Sequence, residues 1–403
     1  MLTFTYTARD TAANKIVKST VQAQSEREAA KLLTEQGIVP LEIHEESDKK
    51  GLFASFGNRI SAKERVIFTR QLATLINAGL PLSQSLATVE EQTSSKPLKK
   101  VVGGIIASVE GGSSMANAFA QYPKVFNQVF IALVRAGETS GTLDKSLERL
   151  ADQQEHDAEI MSKIKGAMAY PAIVLVVIIG VIAFMLLTVV PQVEKLYEDM
   201  GKELPFLTAV LVGTANFVIN FWWLLLIILV GVIILLRRYI KTDSGRKAMD
   251  QLKLNVPLFG NLFRKLYMAR FSRTAETLLA TGVPMLEVLK ICSDAVNNTI
   301  VSEEILRAAD RVKGGKPLSV ALTGEDYILP FVPQMVKIGE QSGGIDAMLE
   351  KTATFYENEV DAAIKTISTA IEPILMVALA GMAGIMVGAI LMPIYGLANN
   401  ATV

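Results

Sequence analysis

The sequence predicts a mainly α polytopic membrane protein with a small N-terminal α/β module, two homologous helical bundles and three transmembrane helices. Three observations carry this. The stretch FTRQLATLINAGLPLSQSLATV at 68–89 returns at 271–292 as FSRTAETLLATGVPMLEVLKIC, 203 positions on. LVRAGETSGTLDKSLER at 133–149 returns at 335–351 as MVKIGEQSGGIDAMLEK, 202 positions on, so one residue is lost between the two stretches. Self-similarity over such a distance means one structural unit used twice. Finally, residues 166–193, 204–236 and 373–403 carry no charge, and each run holds the ~20 predominantly apolar residues that cross a bilayer core.

Composition agrees. Half of the 403 residues are apolar and 20% are charged, below the ~25% of soluble domains; mean hydropathy is +0.35. Formal net charge is zero, so nothing global attracts nucleic acid. One cysteine, Cys292, excludes an intrachain disulfide framework, and two histidines, His44 and His156, without a Cys/His cluster argue against zinc. The first residues, MLTFTYTARDTAANK, lack the apolar core of a secretory signal.

In order along the chain, residues 1–43 read as the α/β module. Phe4, Tyr6 and Ala8 alternate, and Val21 and Ala23 follow a turn at 10–15, which predicts a strand pair. Ser25 with Glu28 forms a capping box ahead of a short helix carrying Ala29, Leu32 and Leu33; Gly37 closes it and IVPLEI resumes as strand. Residues 44–60 read as a linker.

The first bundle covers 61–169 and the second 264–372. Phe68, Leu72, Leu75 and Ile76 lie on one helix face, as do Phe271, Ala275, Leu278 and Leu279. Gly79 and Gly282 stand where a helix ends in a left-handed residue, and Pro81 and Pro284 where the next begins. Helices around 97–109, 113–121, 125–136 and 142 to about 165 complete a bundle of five or six. Cys292 replaces Val89 in the core and reads as packing.

The spans are placed at 170–190, 216–236 and 373–395, with a short loop at 191–215, a connector at 237–263 and a tail at 396–403. Lys163 and Lys165 precede span one and Arg237, Arg238 and Lys241 follow span two, while the loop between them is acidic. The positive-inside rule puts both bundles and the N-terminal module in the cytoplasm. Pro171 and Pro373 mark equivalent membrane boundaries beside Tyr170 and Glu372, which are suited to the headgroup region. A tandem duplication of bundle plus exit helix would strand its second bundle outside; span two returns the chain. In span three Ala380, Gly384 and Gly388 make a small-residue face for close helix packing within or between protomers.

No phosphate-binding loop of the G-x-x-x-x-G-K-[ST] type, no G-x-S-x-G and no nucleophile–histidine pair is present. The sequence therefore reads as a non-enzyme without cofactor or metal. Its most suggestive polar feature is the doubled acidic turn, Gly137, Glu138, Ser140 and Gly141 with Asp144, and Gly339, Glu340, Ser342 and Gly343 with Asp346. The macrodipole at a helix start accounts for the acids; ion pairs of Glu138 with Arg70 and of Glu340 with Arg273 are a second reading, because both members recur. Partner docking is a third, ahead of catalysis or a divalent ion.

The doubled F-[ST]-R…G-x-P stretch, the G-E-x-S-G-x-[LI]-D turns, Pro171 and Pro373, NVPLFG at 255–260 and the ending LMPIYGL together resemble the type II secretion system F family. The N-terminal FTYTARD…Q-G-I-x-P resembles the family's opening; Ala13, Asn14 and Lys15 stand where members commonly carry a glycine. The resemblance implies a homo-oligomeric platform of the bacterial inner membrane, serving a type IV pilus or a type II secretion pseudopilus. It implies contacts with a hexameric cytoplasmic assembly ATPase, with pilin or pseudopilin subunits and with other inner-membrane assembly proteins, and none with nucleic acid. The terminal LMPIYGL inclines towards the pilus. A transporter or channel is the alternative, which requires polar residues along a path through the spans; a ligand-binding membrane signalling protein or enzyme is the third.

Overall fold

The computed structural model describes residues 2–10, 16–23, 38–45, 60–199, 201 and 206–399. They fall into two units, 1–59 and 60–403. In the first, β1 (Leu2–Asp10), β2 (Ile16–Ala23) and β3 (Ile38–Glu45) form an antiparallel sheet in the order β2-β1-β3, with Arg9 opposite Ile16 and Asp10 opposite Ile38. The helix expected over 25–37 and residues 46–59 of the expected linker lie outside the described residues, while β3 runs on to Glu45, so the described part of this unit is sheet alone rather than α/β.

The second unit is helical. Its first copy holds α1 (Ala62–Asn77), α2 (Leu82–Gln92), α3 (Lys96–Glu110), α4 (Met115–Ala120), α5 (Gln128–Ser140) and α6 (Leu143–Phe184). A π-helical turn, Met185–Val189, leads into α7 (Val190–Asp199); α8 (Phe206–Ile240) and α9 (Asp243–Asn255) follow. The second copy repeats the set as α10 (Phe259–Ala280), α11 (Met285–Ala295), α12 (Thr299–Lys313), α13 (Leu318–Leu322), α14 (Phe331–Ser342) and α15 (Ile345–Asn399).

Local chemistry sets these boundaries. Ser61 caps α1 through the Glu64 amide while Glu64 reaches back to the Ser61 amide, a complete capping box. Gly79 and Gly282 end α1 and α10 at φ +84° and +83°, and Pro81 and Pro284 occupy the N-cap positions of α2 and α11. Each copy buries its own apolar faces. In the first, Phe68, Phe119, Phe126 and Phe130 stack within 4.6–6.3 Å of one another; their counterparts Phe271, Leu322, Ile328 and Val332 are equally buried. Burial of side chains this size contributes roughly 1.5–3 kcal/mol each. Cys292 packs fully buried beneath the Phe271 carbonyl, and burial pushes its thiol pKa up.

Among the described residues, three helical stretches are long and apolar enough to cross a membrane: Leu143–Asp199, Thr208–Ile240 and Ile345–Gly388. α6 and α15 descend from their bundles in parallel, joined by Lys163 to Asp361 at 2.7 Å and by a satellite core of Ile160, Leu262, Leu266, Val360, Ile364 and Ile367. Both helices run straight through the expected boundary prolines Pro171 and Pro373.

The loop expected over 191–215 is corrected. The helix continues to Asp199 and α8 already starts at Phe206. Pro191 does not end it, because the missing N–H and the clash with the Leu187 carbonyl are absorbed by the wider π turn over Met185–Val189. Val190 and Tyr197 are buried on this extension, and Val190 packs on Val212 and Ala215 of α8. The connector 237–263 likewise contains a helix, α9, and the second copy opens at Phe259.

Candidate functional site

The doubled acidic corner sits where α5 meets α6 and where α14 meets α15. Gly141 and Gly343 close α5 and α14 in the left-handed region, at φ +72° and +76°. Gly137 and Gly339 are contact points: a Cβ on Gly137 would stand 2.6 Å from the Ser146 Oγ, and one on Gly339 2.7 Å from the Ile345 Cα. Ser140 turns its hydroxyl back to the Ala136 carbonyl at 2.7 Å, and Ser342 lies 3.5 Å from the Gly339 carbonyl. Asp144 and Asp346 occupy the first turns of α6 and α15.

Glu138 does not reach Arg70. Its carboxylate accepts the Met115 and Ala116 amides at 2.8 and 3.1 Å, satisfying the open N-terminus of α4. Glu340 does the same for α13, accepting the Ser319 amide at 3.3 Å and the Ser319 hydroxyl at 2.5 Å. The expected pairs Glu138–Arg70 and Glu340–Arg273 are thus replaced by caps supplied from a neighbouring helix, because unpartnered amides lie nearer than the guanidinium.

The arginines have recurring partners that the sequence reading passed over. Arg70 grips Glu155 with Nε at 2.7 Å and a terminal nitrogen at 2.6 Å; Arg273 grips Glu357 with the same atoms at 2.9 and 2.8 Å. Glu155 and Glu357 are 202 positions apart, the displacement of the acidic turns, which is the signal that could have identified them. Arg70 also holds Asp152 at 2.5 Å and Glu148 at 3.5 Å. Hydrogen bonds from Arg70 hold Glu155 below the usual carboxylate range. Burial alone would lower the Arg273 pKa, and its hydrogen bonds to Glu357 together with the negative charges of Glu357, Glu276 and Glu350 more than reverse that.

The two copies meet along a seam. Arg149 on α6 bonds Glu276 on α10 at 2.7 Å, Gln153 donates to Thr274 at 2.8 Å, and Asp157 stands 3.5 Å from Arg270. A polar cavity of about 480 Å³ opens there, lined by Asp144, Glu148, Asp152, His156, Arg273 and Glu350 among others. Of its lining charges, Arg70 holds Glu148 and Asp152, and Arg149 holds Glu276. Among the described residues no group of three His, Cys, Asp or Glu side chains is arranged to hold a metal ion.

Along the spans, an apolar cavity of about 470 Å³ lies between Ile182, Leu186 and Val190 of the first and Val377, Gly381 and Ile385 of the third. Ala380 and Gly384 are exposed, and an added Cβ at Gly384 or Gly388 would meet nothing within 4 Å among the described residues. Tyr170 and Glu372 are exposed.

Comparisons with known proteins agree with this architecture. The family model "Type II secretion system (T2SS), protein F" matches twice, over residues 68–191 and 271–393, and the model of that protein's N-terminal domain matches residues 1–44. The chain is 39% identical to the type IV pilus assembly protein PilC of Thermus thermophilus over the whole of both chains. It is 37% identical to PilC of Myxococcus xanthus, covering 90% of this chain and 87% of that one. It is 36% identical to the type II secretion system protein F of Aeromonas hydrophila, covering 94% and 98%. Six helices built twice, each set feeding an apolar helix, together with these matches make the chain a membrane protein of the type II secretion system protein F family.

Proposed function

We propose that the chain is the inner-membrane platform of a type IV pilus machine, a non-enzymatic coupler between a hexameric cytoplasmic assembly ATPase and the insertion of pilin subunits into the growing fibre. The observation that carries this is end-to-end similarity to a type IV pilus assembly protein. The architecture supports it: both bundles stand at the same end of parallel helices, and Lys163, Lys165, Arg237, Arg238 and Lys241 flank the spans at that end, a charge bias that favours a cytoplasmic position for the bundles. Two bundles on one side offer surfaces to an ATPase, while three uncharged spans offer apolar surface to single-span pilins and, lacking charged interiors, little to an ion path.

Removal of the gene from the native host, with ATPase and pilin still produced, is expected to abolish surface fibres. A photocrosslinking residue at the exposed positions Thr139 and Gln341, beside the acidic corners, is expected to capture the ATPase. Fibres that persist in the deletion strain, with no ATPase captured at either position, would overturn the platform reading.

A further inference from the structure

The seam between the copies is head to tail. Above the stretch where α6 and α15 run side by side, copy one contributes α5 and α6, whereas copy two contributes α10 and α11, the counterparts of α1 and α2. Each copy therefore carries both halves of this contact and uses only one. The unused halves are α1 and α2 of the first copy, packed within their own bundle on each other, on α3 and on α6, and the outer face of α14 and the upper part of α15 in the second.

The side chains on these unused halves differ from those in the seam. The α6 stripe Arg149, Gln153 and Asp157 becomes Lys351, Phe355 and Glu359 on α15, and the α10 stripe Arg270, Thr274 and Glu276 becomes Ile67, Gln71 and Ala73 on α1. Gln153 is 8% exposed in the seam, whereas Phe355 is 41% exposed and Ile67 47%. On α14, Ile338 is 49% exposed where its counterpart Ala136 is partly buried. Phe355 and Ile67 are thus exposed apolar groups where the seam holds Gln153 and Arg270, whereas Ala73 is buried within its own bundle.

We propose that α15 of one chain docks on α1 of a second copy of this chain, repeating the internal seam. In the seam α6 runs antiparallel to α10, with Gln153 facing Thr274 and Asp157 facing Arg270. The same register sets Phe355 against Gln71 one turn from Ile67, and Glu359 against Ile67 one turn from Lys63. Since α6 and α15 descend in parallel, the operation relating the copies keeps their apolar ends on one side. Repeated between chains, it keeps every chain in one membrane. Such a heterologous contact closes into a ring or continues as a filament. It rests on the duplication and not on the platform reading, so its failure leaves that reading standing.

The test uses the full chain in native-host membranes in a Cys292→Ala background, with Gln71→Cys on one tagged version and Phe355→Cys on another. Thr74→Cys with Lys351→Cys serves as a second pair of exposed positions, and Gln153→Cys with Thr274→Cys within one chain reports the template seam. Oxidation is expected to give mixed-tag dimers at least tenfold in excess of same-tag dimers, and a ladder of higher species when Gln71→Cys and Phe355→Cys share a chain. Same-tag dimers as abundant as mixed ones, or no mixed product from either pair while the Gln153/Thr274 pair closes, would overturn the proposal. Failure of that internal pair would overturn it as well, because the template contact would then be wrong.

Discussion

The two copies share a fold and differ in what surrounds their common parts. Both end their fifth helix in a left-handed glycine, cap a short helix with an acid from the next corner, and clasp a glutamate of the long helix with an arginine of the first. The first copy fills its core with four phenylalanines, where the second uses Phe271, Leu322, Ile328 and Val332. The clasp of the first is open, with the Arg70 and Glu155 side chains 30% and 45% exposed; that of the second, beside the seam, is 18% and 17% exposed. What the copies hold in common folds each of them. What they do not share, such as Glu276 where the first copy has Ala73, or Gln153 where the second has Phe355, joins them.

The largest contrast is expected at the clasps. Arg273→Ala leaves a mostly buried carboxylate unpaired and is expected to cost about 3 kcal/mol, the lower end of the buried-pair range; Arg70→Ala, at a solvated pair, is expected to cost below about 1 kcal/mol. Urea unfolding of the full chain in mild detergent reads both, and equal losses would erase the contrast. Next come the helix contacts. Gly339→Ala drives a Cβ into backbone and Gly137→Ala drives one mainly into Ser146, each costing about 1–3 kcal/mol by overpacking. Ser146→Gly is expected to recover at least half of the Gly137→Ala loss in the same unfolding measurement.

Removal of the caps is a smaller perturbation, about 1 kcal/mol each. Glu340→Ala is expected to exceed Glu138→Ala because it also strips the Ser319 hydroxyl of its acceptor, and melting curves should rank them so. The smallest effect is a pH slope of opposite sign in the two copies. Glu155 is held low by Arg70, so its stabilisation is present above the ordinary carboxylate pKa and is lost as pH falls through the lowered value. The penalty of Glu155→Gln should therefore shrink on acidification. Burial raises the Glu304 pKa despite its bond to the Tyr327 amide, so its favourable contribution is present at low pH and lost as pH rises. Glu304→Gln should gain on wild type between pH 4 and pH 7, read as the difference in melting temperature.

Much of this was legible in the sequence for plain physical reasons. A repeat shows as displacement, a span as a charge-free run, and a helical hairpin as apolar spacing with glycine and proline at the corner. The partners of Arg70 and Arg273 were not, since attention to the short G-E-x-S-G motif favoured the recurring acids Glu138 and Glu340, while Glu155 and Glu357 recur outside it at the same displacement. The loop at 191–215 was misread because Pro191 and the charges after it look like a break, and nothing local announces a π turn. The seam left a faint trace. Ser272, Thr274, Glu276 and Thr277 of α10 are all buried, yet apolar periodicity ignores polar residues, and only comparison of α10 with α1 singles them out.

The seam is also where the picture of two unlike copies joined into one body is most directly tested, by a double-mutant cycle on Arg149 and Glu276 that compares the unfolding free energies of Arg149→Ala, Glu276→Ala and the double variant with the parent. A favourable coupling of about 1 kcal/mol or more is expected for a contact with one partner largely buried. A coupling within about 0.3 kcal/mol of zero, the additivity of independent sites, would contradict it.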